Sequence, residues 1–454
     1  MEFCGRILRG KRISFFMPAF MPARLLAEAT VSTGFMVVAV LAILAQSIIL
    51  VVAFFGRGPR YKISSPSSQS LESPEFLYML EALTDAKLNA HTRLEVFTNG
   101  VNFYEAELHA IREAKSSVHL EAYIFQEGEI AKRFVDALTS KAAEGLPVRV
   151  VLDGLGSLGT SSSYFKALKN AGGKVEWYQS VKFSRLPHYN HRSHRELLIC
   201  DGQAGFLGGA GIADHWYHGS KGKPAWRDTM VRVEGDAVPN LQATFAENWL
   251  EASGELLVGT EYFPMYEADS KSAALVINST PSGGGATRAR MLFQVLLASA
   301  RKSIHITTPY FLPDHSLSQE LLRAVARGVD VTIITPGKHS DHMLTRSSSR
   351  RSYGPLLHAG ARIFEYQPAM IHAKILIIDG VWSVVGSTNF DNRSFGLNDE
   401  VNLASCDAKF SARLEEDFVR DLADSREISY DVWRKRSWLE RGPEILGWIL
   451  ERQQ

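Results

Sequence analysis

The chain has 454 residues, 45% of them hydrophobic, which is enough for two or three domains with large cores and excludes a disordered or fibrous protein. Fifty basic side chains against 49 acidic ones give a net charge of +1, so the composition does not point to a nucleic-acid binder. Cys4, Cys200 and Cys406 lie far apart without metal-ligand spacing, and are read as ordinary thiols outside any disulfide framework.

Residues 1–33 form an N-terminal tail. Gly34–Phe55 is apolar apart from Gln46 and Ser47, and a helix of that length, at about 1.5 Å per residue, crosses a bilayer core of about 30 Å. It is read as a transmembrane helix. A cleavable signal peptide is disfavoured because the stretch is too long and Ala53-Phe54-Phe55-Gly56 lacks a small-x-small site. The tail carries Arg6, Arg9, Lys11, Arg12 and Arg24, whereas Arg57, Arg60 and Lys62 follow the span, so charge does not settle the orientation. Residues 56–75 are a linker, and the Ser- and Pro-rich Ser64–Pro74 is expected to be a flexible tether.

Beyond the tether the chain repeats itself once, with halves at 76–260 and 261–454. Ser117–Phe125 reads as a strand, Ile130–Glu144 has helical spacing, and Gly145–Asp153 turns into a further strand. Ser303–Phe311, Leu317–Arg327 and Gly328–Ile334 answer in the same order. Ala171–Gln179 parallels Ala359–Gln367, which sets His194 opposite His372, Asp201-Gly202 opposite Asp379-Gly380, and Gly208-Gly209 opposite Gly386-Ser387. The first half is ten residues longer between Gln179 and His194 than the second is between Gln367 and His372. Strands alternating with helices make each half α/β.

In the second half His372 and Lys374 are two apart, so in an extended segment both leave the same face and can converge on one anion. Ile375–Ile378 is apolar on both faces, the pattern of a strand between two layers. Asp379-Gly380 and Trp382–Val385 then read as a tight turn and a second strand. Ser387 and Asn389 follow on a small-residue turn, with Asn398 and Glu400 close behind.

H-x-K-x4-D followed by G-S-x-N resembles the signature of the phospholipase D superfamily, and His372, Lys374, Asp379, Ser387 and Asn389 match it. The text from Pro336-Gly337-Lys338 through Met370–Lys374 to Phe390-Asp391 and Arg393-Ser394-Phe395 resembles the bacterial cardiolipin synthase branch. So does Trp226-Arg227-Asp228-Thr229. The resemblance covers roughly Leu94 to Trp433. It implies two tandem phospholipase D-like α/β halves whose histidine motifs meet at one pseudo-twofold site.

By the same resemblance, His194 is the nucleophile and His372 the acid and base, though the sequence itself does not separate the two roles. Asp228 and Glu400 hold the histidine rings, the alignment placing Asp228 beside Asp399 and Glu400. Lys374, Ser387 and Asn389 stabilise the phosphoryl oxygens, while Asp201 and Asp379 complete the motifs, bracing the hairpins. No cofactor or metal is implied, and no compact zinc-ligand set is present in the sequence.

The first motif departs from the pattern: Glu196 stands where the family has lysine, and Gly211 where it has asparagine. A carboxylate beside a bound phosphodiester in a poorly solvated pocket costs on the order of several kcal/mol. Three readings stay open. Burial beside another acid makes Glu196 a neutral donor; a cation such as Lys182, Arg185 or Arg192 takes the phosphate side; or the protein has lost its chemistry. Arg195 points to the opposite face if the strand is regular.

The resemblance implies a phosphatidyltransferase of the bacterial inner membrane with phospholipid substrates, phosphatidylglycerol foremost, and no nucleic acid. The alternatives are a phospholipase D that uses water as acceptor and a non-catalytic lipid-binding relative. Oligomeric state is open. Trp433–Leu450 interleaves tryptophans with basic residues, which suits either a membrane interface or a helix packing its tryptophans inward.

Overall fold

The computed structural model describes residues 33–55, 60–64, 69–180, 191–220, 222–265, 269–270, 272–281, 286–437, 440–442 and 444. Two compact units divide the chain, Met1–Gly56 and Arg57–Gln454. In the first, helix α1 (Thr33–Phe55) is 23 residues long with no charged residue in its first or last turn. Its side chains are described over 36–48, where Val37, Val38, Leu41, Ile43 and Leu44 are exposed. Among the described residues no helix is long and apolar enough to cross a membrane. The span read over Gly34–Phe55 is helical throughout, its side chains described over 36–48 alone, and of the tail over 1–33 only Thr33 is among the described residues.

The second unit starts with α2 (Pro74–Thr84), capped by Ser73, whose Oγ accepts from the Phe76 N–H. The first half follows: β1 (Leu88–Thr98), α3 (Gly100–Glu113), β2 (Val118–Ala122), α4 (Glu129–Ala143), β3 (Val148–Asp153), α5 (Lys166–Asn170) and β4 (Lys174–Tyr178). After the inserted segment come β5 (Arg192–Ser193), β6 (Leu197–Cys200), β7 (Ala204–Gly208), α6 (Asp214–Tyr217), β8 (Thr229–Gly235) and α7 (Val238–Ser253).

The second half is β9 (Ser272–Ser279), α8 (Arg288–Ser299), β10 (Ser303–Thr307), β11 (Phe311–Leu312), α9 (His315–Ala326), β12 (Asp330–Pro336), α10 (Met343–Ala359) and β13 (Arg362–Tyr366). It closes with β14 (Ile375–Ile378), β15 (Trp382–Gly386), β16 (Phe390–Asp391), β17 (Asn398–Cys406), α11 (Ala408–Ala423), β18 (Ser425–Glu427) and α12 (Tyr430–Arg434).

One mixed sheet carries both halves in the order β18-β13-β12-β10-β14-β15-β17-β9-β1-β8-β7-β6-β2-β3-β4. Outward from the central β1–β9 pair, the repeat equivalents appear in mirrored order, so the two halves share one backbone hydrogen-bond network. The strand expected over Ile375–Ile378 alternates as a two-sided strand must: Leu376 and Ile378 pack under the outer helices, Ile375 and Ile377 under α7 and α11. The core beneath α7 and α11 takes side chains from both halves, Val231 and Leu241 beside Val401 and Leu414.

Two expectations about organisation need correction. The tether read over Ser64–Pro74 is docked at its C-terminal end, where Leu71 is buried and its carbonyl accepts from Trp382 Nε1 at 2.8 Å. Helix α2, assigned with the first half, packs Phe76 and Leu80 into the second half's core beside Leu292 and Trp382. Local composition marks a polar Ser/Pro run, but the strand partner of the next segment decides where it docks. Helix α12 packs inward: Trp433 lies against Gly354 and its Nε1 donates to the Arg350 carbonyl.

Candidate active site

Both Asp-Gly pairs are left-handed, with φ of 59° and 63° at Asp201 and Gly202, and 56° and 69° at Asp379 and Gly380. They sit at the centre of turns closed by Gln203 N to Cys200 O and Val381 N to Ile378 O, within three-residue loops between Cys200 and Ala204 and between Ile378 and Trp382. The Asp201 carboxylate accepts from the N–H groups of Lys115, Ser116 and Ser117, and the Asp379 carboxylate from those of Arg301, Lys302 and Ser303. These aspartates brace the hairpin ends of β6 and β14, while the histidines lie before the opposite ends of those strands. Their place in the motif does not bring them to the histidine rings.

Each histidine hangs from the other half's backbone. His372 N donates to Arg227 O at 2.7 Å, and His194 N donates to Asp399 O at 2.9 Å. The acceptors immediately precede Asp228 and Glu400, so one backbone bond aligns each imidazole with a carboxylate across the pseudo-twofold. His372 Nδ1 lies 2.9 Å from Asp228 Oδ2. His194 Nδ1 lies 3.2 Å from both Glu400 oxygens. The alignment offered Asp399 and Glu400 together; alternation along β17 separates them, with Asp399 turned toward Tyr178 and Arg195.

The carboxylates are fully buried and supported. Asp228 accepts from Trp216 Nε1 at 3.0 Å and Thr229 N at 2.8 Å. Glu400 accepts from the Ser387 hydroxyl and from Asn398 Nδ2 at 3.3 Å. Burial alone would raise both acids, but the hydrogen bond and charge of its histidine hold each below its ordinary value. A carboxylate that keeps its charge fixes the imidazole proton on Nδ1 and leaves Nε2 to do chemistry.

Lys374 converges on the same point, as the i, i+2 spacing predicts. Its Nζ lies 3.1 Å from His372 Nε2 and donates to His372 O at 2.8 Å. Burial pulls the ammonium down to about 8, against the attraction of Asp228, Glu400 and Glu196. Burial, then the neighbouring Lys374 charge, also lowers His372.

The phosphate-binding trio divides. Ser387, expected on a phosphoryl oxygen, spends its hydroxyl on Glu400 and accepts from Val401 N, so it orients the carboxylate. Asn389 is buried with its Oδ1 unpartnered among the described residues.

Glu196 is buried, and its Oε1 accepts from Tyr123 N at 3.2 Å and Ile124 N at 3.4 Å. Burial raises its pKa well above the carboxylate range, against those two donors and Lys374. The neutral-acid reading thus fits in direction, with desolvation rather than a neighbouring acid as the leading cause. Arg192 pairs with Asp153 at 3.7 Å and donates to Gln179 O at 2.9 Å, so a basic stand-in from this residue is not what the geometry presents. Lys182 and Arg185 lie outside the described residues. Arg195 points away as expected, donating to Thr244 O and Glu247.

Sequence reasoning missed the aromatic wall. The rings of Trp216 and Trp226 lie 5.3 and 5.4 Å from His372, and Tyr123 stands edge-on to His194 at 5.0 Å. Trp226 stood beside the Asp228 motif and was the available signal; Tyr123 and Trp216 carried none. Together the groups make two oriented imidazoles, one cation and an apolar surround, a set suited to two-step phosphoryl transfer without bulk water.

Comparison with known proteins agrees with that chemistry. The family model described as "Cardiolipin synthase, PLD-like domain" matches residues 108–221 and 294–422. Cardiolipin synthase 1 of Bacillus cereus is 36% identical over 360 residues, covering 77% of this chain and 70% of the relative. Cardiolipin synthase of Listeria innocua is 34% identical over 370 residues, covering 81% and 76%. Among solved structures, phosphatidylserine synthase of Haemophilus influenzae Rd KW20 superposes with a TM-score of 0.60 at 15% identity, covering 83% of this chain and 96% of that one, a likeness of fold.

Proposed function

Because the chain belongs to the family of cardiolipin synthases with phospholipase D-like domains, we propose that it is a phosphatidyltransferase joining two phosphatidylglycerol molecules into cardiolipin and releasing glycerol. The observation that carries the reading is the crossed pairing, in which each histidine Nδ1 is tied to a buried carboxylate of the opposite half.

His194 Nε2 attacks the phosphorus of the first lipid, forming a P–N bond, while His372 protonates the departing glycerol oxygen. In the second step His372 takes the proton of the incoming hydroxyl, whose oxygen attacks phosphorus and breaks the P–N bond. Lys374 and Asn389 carry the negative charge that builds on the phosphoryl oxygens. Helix α1, with its exposed apolar side chains, anchors the catalytic unit to a membrane by a single pass.

The test is incubation of purified, detergent-solubilised protein with labelled phosphatidylglycerol beside His372→Ala, followed by separation of the lipids. Cardiolipin with free glycerol, absent from the variant, is the expected result. Phosphatidic acid alone would make water the acceptor and the protein a phospholipase D. Folded protein that binds the lipid without any product would overturn an enzymatic role.

A further inference from the structure

The site is chemically lopsided across its pseudo-twofold. On the His372 side stand a cation, Lys374, and an amide, Asn389, with a buried unpartnered oxygen. Across the pseudo-twofold, Glu196 replaces the second cation. Two backbone N–H groups occupy its Oε1, and among the described residues Oε2 takes no hydrogen bond.

Gly211 belongs to the same arrangement. A Cβ there would lie 2.5 Å from Ile124 O and 3.1 Å from Glu196 Oε1, so the asparagine of the family pattern has no room. Both phosphate-binding groups of this half are gone together, and what replaces them is one carboxyl oxygen. An anionic phosphate is drawn to the Lys374 side; a hydroxyl, which can donate to or accept from a carboxyl, suits the Glu196 side.

Resting on the transferase reading above, we infer that Glu196 is a specificity-determining residue for the acceptor, binding a second, non-reacting hydroxyl of a polyol. In the transfer step the reacting hydroxyl gives its proton to His372 and its oxygen to phosphorus, and the P–N bond to His194 breaks. Glu196 holds the neighbouring hydroxyl without entering the bond changes. Water and monohydric alcohols have no second hydroxyl to offer, so the carboxyl discriminates against them. A site built to bond a hydroxyl rejects the analogue that lacks it, because the buried polar group is left unpaired.

The experiment is a partition assay on the full-length protein in mixed micelles of acyl-labelled phosphatidylglycerol. Equal concentrations of propane-1,2-diol, propan-1-ol and 2-aminopropan-1-ol compete as acceptors, and the three phosphatidyl products are separated from each other and from phosphatidic acid. The ratio of products is independent of total turnover. Wild-type protein is expected to favour the diol over propan-1-ol by at least about tenfold. Glu196→Ala brings the ratio to about one, and the near-isosteric Glu196→Gln, which carries the test should the alanine variant not fold, retains part of it.

A wild-type ratio near one, a ratio unchanged in a variant that still turns over, or preference for the amino alcohol would each overturn the inference while leaving the transferase standing. Absence of any headgroup release by the wild type would overturn the transferase, and the inference with it.

Discussion

Oδ2 of Asp228 lies 2.9 Å from Nδ1 of His372, although 144 positions separate the two residues and they come from opposite halves of the repeat. The bond makes the relative placement of the halves part of the catalytic geometry. Trp216 and Thr229 both donate to the same carboxylate, so each of its oxygens faces a donor.

Asp228→Asn turns an NH2 group toward one of those donors and removes the charge that holds the proton on Nδ1. The expected result is a fall in kcat of about 100- to 10,000-fold with little change in KM, as when the buried acid behind a catalytic histidine is neutralised. Steady-state cardiolipin formation, with thermal unfolding as the check on folding, decides it. A variant within threefold of wild type would mean that Asp228 does not orient His372.

How much of this arrangement was legible in the sequence follows from what each signal reports. Apolar periodicity located the β-α-β series and the two-sided strand at Ile375–Ile378, and the spacing of His372 and Lys374 put both on one face. Such patterns name a face, not a partner. That Glu400 serves His194 and Asp228 serves His372 depends on how the halves meet at the β1–β9 pair, which no local pattern encodes. The hydroxyl of Ser387 has the right chemistry for phosphate as well as for Glu400, and only the fold chooses. Helix α2 looked like the start of the first half because it precedes it; its burial against Trp382 is a long-range fact.

Lys374 is expected to set the alkaline limit of activity. The charged form is the useful one, and burial brings its pKa down to about 8, so the ammonium is present below that pH and lost above it. The expected profile of kcat/KM, which reports the free enzyme, falls through about pH 8. Lys374→Arg keeps its charge over the whole range, so its profile, at whatever reduced rate, lacks that limb. An unaltered alkaline limb in the arginine variant would assign it to another group.

Asp379 should matter to stability and not to chemistry. Removing its carboxylate leaves three backbone N–H groups without their acceptor and puts alanine at a φ of 56°. Because the turn is only partly exposed, Asp379→Ala is expected to cost about 1–3 kcal/mol in urea unfolding. The pH dependence of kcat/KM should stay as in the wild type. A changed pH profile would place Asp379 among the catalytic residues instead.

Gly209 offers the sharpest test of how tightly the halves are fitted. A Cβ there would lie 2.7 Å from Asp228 Oδ1, 3.0 Å from His372 O and 3.1 Å from Lys374 Cδ. Asp228 cannot yield without losing Thr229 N or Trp216, and the His372 backbone cannot yield without stretching its bond to Arg227 O. The methyl group of Gly209→Ala must therefore move the histidine and its carboxylate relative to each other by some tenths of an ångström. Reacting groups misplaced on that scale lose rate steeply, and kcat is expected to fall about 10- to 100-fold while the protein still folds. Gly159→Ala, where an added Cβ meets nothing within 4 Å, is the matched control and should be neutral. If Gly209→Ala kept its full kcat, the halves would have to adjust freely at the pseudo-twofold, and the crossed histidine–carboxylate pairs would owe their geometry to something softer than the shared sheet.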